Sequence, residues 1–134
     1  MIKDIPQRKV EDFAIAIVPP ENGDLTDLWE VYVLNLQEAT LRSVLVTSKG
    51  YGELDGEQRK TATMRYFIEE LGPMEMVKIE PIQPAVFALT NEYWVSFSFD
   101  NHLFDKKYVF VQGSIHTDHF TIIPFLNRKG VMIR

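Results

Sequence analysis

His116-Thr117-Asp118-His119 places two imidazoles and a carboxylate within four residues. These are side chains that can ligate a transition metal. On a strand His116 and His119 point to opposite faces, so the spacing works only on a helical turn or a tight loop. Even then two His and one Asp need a fourth ligand from elsewhere. A solvated loop accounts for the same three residues, His116, Asp118 and His119, so no metal and no cofactor is assigned. His102 lies beside Asp100 and Asp105, a setting in which a carboxylate can raise an imidazole towards neutral titration. The competing reading is an exposed His in a β-turn. In Asp105-Lys106-Lys107 the lysines are expected to find cross-strand partners. Lys78 and Glu80 alternate with Val77 and Ile79, which puts both on one face as a surface ion pair. No Gly-x-Ser-x-Gly occurs, and Ser96 and Ser98 sit within a strand rather than on a nucleophile elbow. Arg65, Tyr66 and Trp94 are the residues singled out for ligand binding, and no catalytic residue is assigned.

Composition narrows the chemistry further. The 134 residues contain no cysteine, which removes disulfides, thiolate catalysis and Cys-ligated metals. The formal charge is −5, the wrong sign overall for neutralising phosphates or binding an anionic membrane. Length and an apolar share of 46% fit one domain, 1–134, with a core of its own. Residues 1–10 form a polar lead-in open to fraying. No signal-like apolar core follows, and Phe13–Val18 is too short to span a bilayer, so the expected location is the cytoplasm.

The elements that must position these residues are mostly strands. Tyr93, Val95, Phe97 and Phe99 alternate with Trp94, Ser96, Ser98 and Asp100, the period of a strand with one dry and one wet face. After Asp100-Asn101-His102, Tyr108–Val111 can fold back on it as a hairpin, the expected centre of an antiparallel sheet. The aromatics Tyr93, Phe97, Phe99, Tyr108 and Phe110 could form a stacking platform. A sandwich core uses the same face more economically. Phe13–Val18 is apolar on both faces and reads as a buried strand ended by Pro19-Pro20. Residues 29–36 and 41–48 read as two further strands, expected to pair as a hairpin because consecutive strands usually neighbour each other. Lys49–Arg59, with three glycines and several charges, reads as a mobile loop. Over 61–71, Met64, Phe67, Ile68 and Leu71 recur at helical spacing before Gly72-Pro73, which predicts a short helix. Thr61, Thr63, Tyr66 and Phe67 favour a strand there instead. Residues 76–82 read as an edge strand or a short strand because of Pro81 and Pro84, and 86–89, 121–123 and 131–133 as brief strands.

Several stretches together resemble a small family of uncharacterised bacterial proteins of about this length. They are Trp29-Glu30-Val31-Tyr32, Ser48-Lys49-Gly50-Tyr51, Thr63-Met64-Arg65, Lys78-Ile79-Glu80, Phe104-Asp105-Lys106-Lys107 and Gly130-Val131. Some members of that family carry the label of a phenylalanyl-tRNA synthetase subunit. None of the stretches is a catalytic motif. The resemblance therefore implies one compact domain of unknown function and transfers no active site, and the label alone implies RNA association.

The expected fold is mainly β: an antiparallel β-sandwich or partly open barrel of about seven to nine short strands, with at most one short helix at 61–71. The alternative is an α+β fold with that helix on a single antiparallel sheet. Three functions follow. The favoured one is a non-enzymatic interaction module with an unknown protein partner or self-association through exposed sheet edges. The second is a small-molecule binder or enzyme with a site inside the sandwich or barrel. The third is an RNA-associated protein, against which the net charge argues.

Overall fold

The computed structural model describes residues 10–134, so positions 1–9 of the expected lead-in lie outside the described residues. Val10, the last of that lead-in, is buried against the core. The strands are β1 (Phe13–Val18), β2 (Trp29–Asn35), β3 (Leu41–Leu54), β4 (Glu57–Lys60), β5 (Met64–Leu71), β6 (Glu75–Ile82), β7 (Thr90–Phe99), β8 (His102–Phe110), β9 (Thr121–Ile123) and β10 (Arg128–Ile133). They form two antiparallel sheets that do not close into a barrel, so the mainly β sandwich is what the sequence folds into. Sheet I runs β6-β2-β1-β10-β9. Sheet II runs β3-β7-β8, with β4 and β5 following one another along the free side of β3.

The alternation of side chains explains the packing. Phe13, Ile15 and Ile17 of β1 and Val31 and Val33 of β2 face Val44 and Val46 of β3 and Tyr93, Val95 and Phe97 of β7. Phe13 stacks on Phe97 with ring centroids 5.7 Å apart. The buried Tyr108 hydroxyl donates to the Phe13 carbonyl at 2.8 Å, tying the two sheets together. Ala14, Ala16 and Val18, on the other face of β1, are also buried and join Tyr32, Leu34 and Ile123 in a second cluster. This is why β1 is apolar on both faces. The central hairpin is present as expected: Tyr93, Phe97, Tyr108 and Phe110 are core, and Trp94 lies on the opposite face, 44% exposed.

Four expectations are corrected. Residues 61–71 hold no helix: β5 pairs with β3 from Leu41↔Leu71 to Ser48↔Met64. A ladder in a single register, interrupted only at Ser43 and Glu69, pairs the backbone, buries Leu71 and half-buries Ile68, and this outweighs the helical spacing, half of which (Met64, Phe67) is left exposed. Residues 49–59 are no loop. β3 continues to Leu54, turns through Asp55 and Gly56, both at positive φ, and returns as β4. An Asp-Gly pair with both residues at positive φ is the tight hairpin turn whose twist matches that of the strands. β2 and β3 are not a hairpin, since they belong to different sheets. Residues 86–88 fall in a short 3-10 turn, Pro84–Ala88, with Leu89 as its C-cap, rather than in a strand.

The β2–β3 corner is built around Asn35, which is fully buried. Its amide nitrogen donates to the carbonyls of Ala39 at 2.8 Å, Gly72 at 2.9 Å and Leu71 at 3.1 Å. Its amide oxygen accepts from the Gln37 N–H at 3.0 Å. One side chain thus closes two of the crossings between the sheets, β2 to β3 and β5 to β6.

Candidate functional site

The chemistry-bearing residues gather on sheet II, at its outer face and along the side where β5 faces β6. Register sets the outer face. Thr47 pairs with Arg65 on one side and Trp94 on the other, and Trp94 pairs with Lys107, so these four share one row. The next row is Phe67, Leu45, Ser96 and Asp105. Phe67 is 65% exposed and Leu45 37%, an apolar pair on a surface strand. Trp94 is partly covered by the Lys107 ammonium, 5.6 Å from its ring. Lys107 also lies 3.7 Å from Glu92, which Lys49 approaches at 3.6 Å and the Tyr51 hydroxyl bonds at 3.2 Å.

A second cluster lies between the sheets. Along β6, Val77 pairs with Val33 and Lys78 with Tyr32, but Glu80 pairs with Val31, leaving Ile79 as an extra residue. Such a bulge shifts the alternation by one. Lys78 therefore points outwards, to Glu30 at 3.2 Å, while Glu80 points inwards with Val31. The expected Lys78–Glu80 surface pair does not exist. Glu80 instead accepts three hydroxyls from sheet II: Ser48 at 3.1 Å, Tyr93 at 2.9 Å, and Tyr66 in a short bond. Among the described residues it has no cation partner. Burial, then the bond to Glu80 and its charge, pushes the Tyr66 phenol well above its ordinary range. Burial and the Glu80 charge do the same for Tyr93. Both phenols are therefore proton donors at neutral pH, and the cluster acts as a polar tie between β6 and three strands of sheet II. It borders a cleft of about 250 Å³ lined by Gly50, Thr61, Ile82, Val86 and Asn91 as well.

These phenols set an alkaline limit. Tyr93 and Tyr108 are nearly inaccessible, and burial raises both above the ordinary value of 10.0. Below that pH both folded and unfolded chains keep these protons. Above it the unfolded chain releases them and the folded chain does not, so stability falls as pH rises, by roughly 1.4 kcal/mol per pH unit for each phenol. Urea titrations at pH 9 to 11.5 should show this fall, and Tyr93→Phe should make it shallower. An unchanged slope in that variant contradicts the assignment.

The three ligand-binding residues expected from sequence are split. Arg65 and Trp94 share the outer face, two strands apart, and Tyr66 points inwards to Glu80. Sequence reading missed Glu80, Ser48 and Asn35. The Asp55-Gly56 turn signal was available, but no sequence signal marks the bulge at Ile79. His116, Asp118 and His119 lie on and beside a 3-10 turn, Thr117–His119. His116 Nδ1 is 3.4 Å from an Asp118 carboxylate oxygen, while His119 turns its Nδ1 to the Ser114 carbonyl at 2.8 Å. Among the described residues no three His, Asp or Glu side chains converge on a point that could hold a metal ion. The exposed His102 sets its Nδ1 2.6 Å from the Asp100 carbonyl. Among the described residues, no helix is long and apolar enough to cross a membrane.

Comparison with known proteins returned no match: no family model, no curated protein and no solved structure is significantly similar to this chain.

Proposed function

We propose that this chain is a non-enzymatic protein-interaction module that takes an extended strand of a protein partner along the edge of β5 that no strand covers among the described residues. The observation that carries the reading is the contrast between β5 and the other sheet edges. An open edge offers a row of unpaired backbone N–H and C=O groups, and proteins guard such edges with charge, proline or brevity. β6 carries Pro81 and an outward Lys78, β8 carries Asp105, Lys106 and Lys107, β9 has three residues, and β4 reads Glu-Gln-Arg-Lys. β5 has eight residues, and its charges, Arg65, Glu69 and Glu70, lie to either side of an uncharged centre, Tyr66-Phe67-Ile68, where those of β8 fill its middle. Beside it the outer face exposes Phe67, Leu45 and Trp94. Strand addition draws affinity from main-chain bonds and specificity from alternate side chains, and this edge supplies both. The lack of cysteine supports placing the module in the cytoplasm.

The test is selection of binders from a library of random linear peptides. Wild-type protein should yield peptides that bind in extended form. Phe67→Lys should weaken them at least tenfold while changing stability by less than about 0.5 kcal/mol, the usual range for an exposed position. Peptides that bind the variant equally well contradict the reading.

A further inference from the structure

The β5 edge has a symmetry that names its partner. Its outward side chains are Arg65 and Phe67, set by their pairing with Thr47 and Leu45, and by alternation the exposed Glu69, which stands where Ser43 drops out of the ladder: a cation, an aromatic and an anion two residues apart. All three are exposed. Arg65 and Glu69 make no ion pair among the described residues, whereas the neighbouring Glu70 is already paired with Arg42. A strand lying beside this edge is matched best by an anion opposite Arg65, an apolar residue opposite Phe67 and a cation opposite Glu69. Read antiparallel, β5 has this sequence itself.

We propose that the partner is a second copy of this chain, paired β5 to β5 about a two-fold axis at Phe67. The inference rests on the strand-addition reading above. In this register Phe67 meets its own copy. Arg65 of each protomer meets Glu69 of its partner, so one strand pairing creates two equivalent ion pairs. Such an interface is isologous, the same patch on both subunits, and closes at a dimer rather than growing into a fibre. The pairing satisfies the exposed edge and makes one continuous sheet, with β8-β7-β3-β5 of one protomer running into β5-β3-β7-β8 of the other. It also covers Phe67, and Trp94 remains on the open outer face of the joined sheet.

Light scattering coupled to size exclusion, on the whole chain across micromolar concentrations, tests this. The expected particle has twice the 15.5 kDa chain mass. Arg65→Glu places Glu opposite Glu69 at two sites, and Glu69→Arg places Arg opposite Arg65. Each alone should weaken the dimer tenfold or more. The double variant Arg65→Glu/Glu69→Arg restores opposite charges and should return to within about threefold of wild type. Phe67→Lys should be monomeric and should melt like wild type diluted below its dimerisation range. A wild-type monomer, or a dimer indifferent to all these variants, overturns the proposal. A monomer that still takes library peptides along β5 removes only the self-pairing, and a monomer that takes none removes the strand-addition reading as well.

Discussion

Replacing Asn35 by Leu should cost about 4 kcal/mol, a large part of the stability of a domain this size. The side chain is fully buried, and Leu keeps its branched shape and its number of heavy atoms. What Leu removes is one amide that donates to three carbonyls, those of Ala39, Leu71 and Gly72, and accepts from the Gln37 N–H. A buried polar group left without a partner costs roughly 1 to 3 kcal/mol, and here up to four groups lose theirs. The Leu71 carbonyl is the most deeply placed. Asn35→Asp should be no better, because a carboxylate offers no donor to any of the three carbonyls. Urea unfolding of both variants measures the effect. A loss under about 1 kcal/mol in Asn35→Leu would show that water replaces the amide and that the corner does not depend on it.

Gly130→Ala is the second large expected loss, from a different cause. Gly130 is buried on β10 where that strand passes β1. A Cβ built there lies 2.6 Å from the Ile17 carbonyl oxygen and 3.0 Å from Val18 Cγ2. The first contact is with backbone inside the central strand of sheet I, so no side-chain rotation relieves it. One methyl group must push β10 from β1, at about 3 kcal/mol, or roughly 10 °C in melting temperature. Gly50→Ala is the useful contrast. Its Cβ meets Asn91 Oδ1 and Thr61 Cγ2, both side-chain atoms, at 3.1 Å. These can give way, so the loss there should be smaller. Thermal melts of the two variants side by side test the distinction, and equal losses contradict it.

The parts legible from sequence were those where side chains alternate against a single core. β7 and β8 show it, since Tyr93, Val95 and Phe97 face the other sheet and Trp94 does not. β1 was legible because both its faces are covered. Alternation says nothing about which strand lies beside which, and β2 and β3 part into different sheets at Asn35 although they are consecutive. The helical spacing of Met64, Phe67, Ile68 and Leu71 was real but unused: a strand places Ile68 inwards and Phe67 outwards, and the ladder with β3 decides. Glu80 was hidden for a subtler reason. Its direction depends on the single extra residue Ile79, and one inserted residue inverts every inference drawn from parity. The candidate interface was legible only in its parts, because Arg65 and Trp94 become neighbours across Thr47 only once the register is fixed.

Residue-resolved amide hydrogen exchange across Met64–Leu71 tests the central claim most directly. In an edge strand, alternate N–H groups point away from the sheet. In dilute protein held monomeric by Phe67→Lys, these alternate amides should exchange rapidly while their neighbours, bonded to β3, are protected. In wild-type protein at high concentration the same alternate amides should become slow, and those of β8 should not change. Protection appearing along β8 or β9 instead, or no concentration dependence anywhere on β5, would contradict the account that this edge is where the molecule meets its partner.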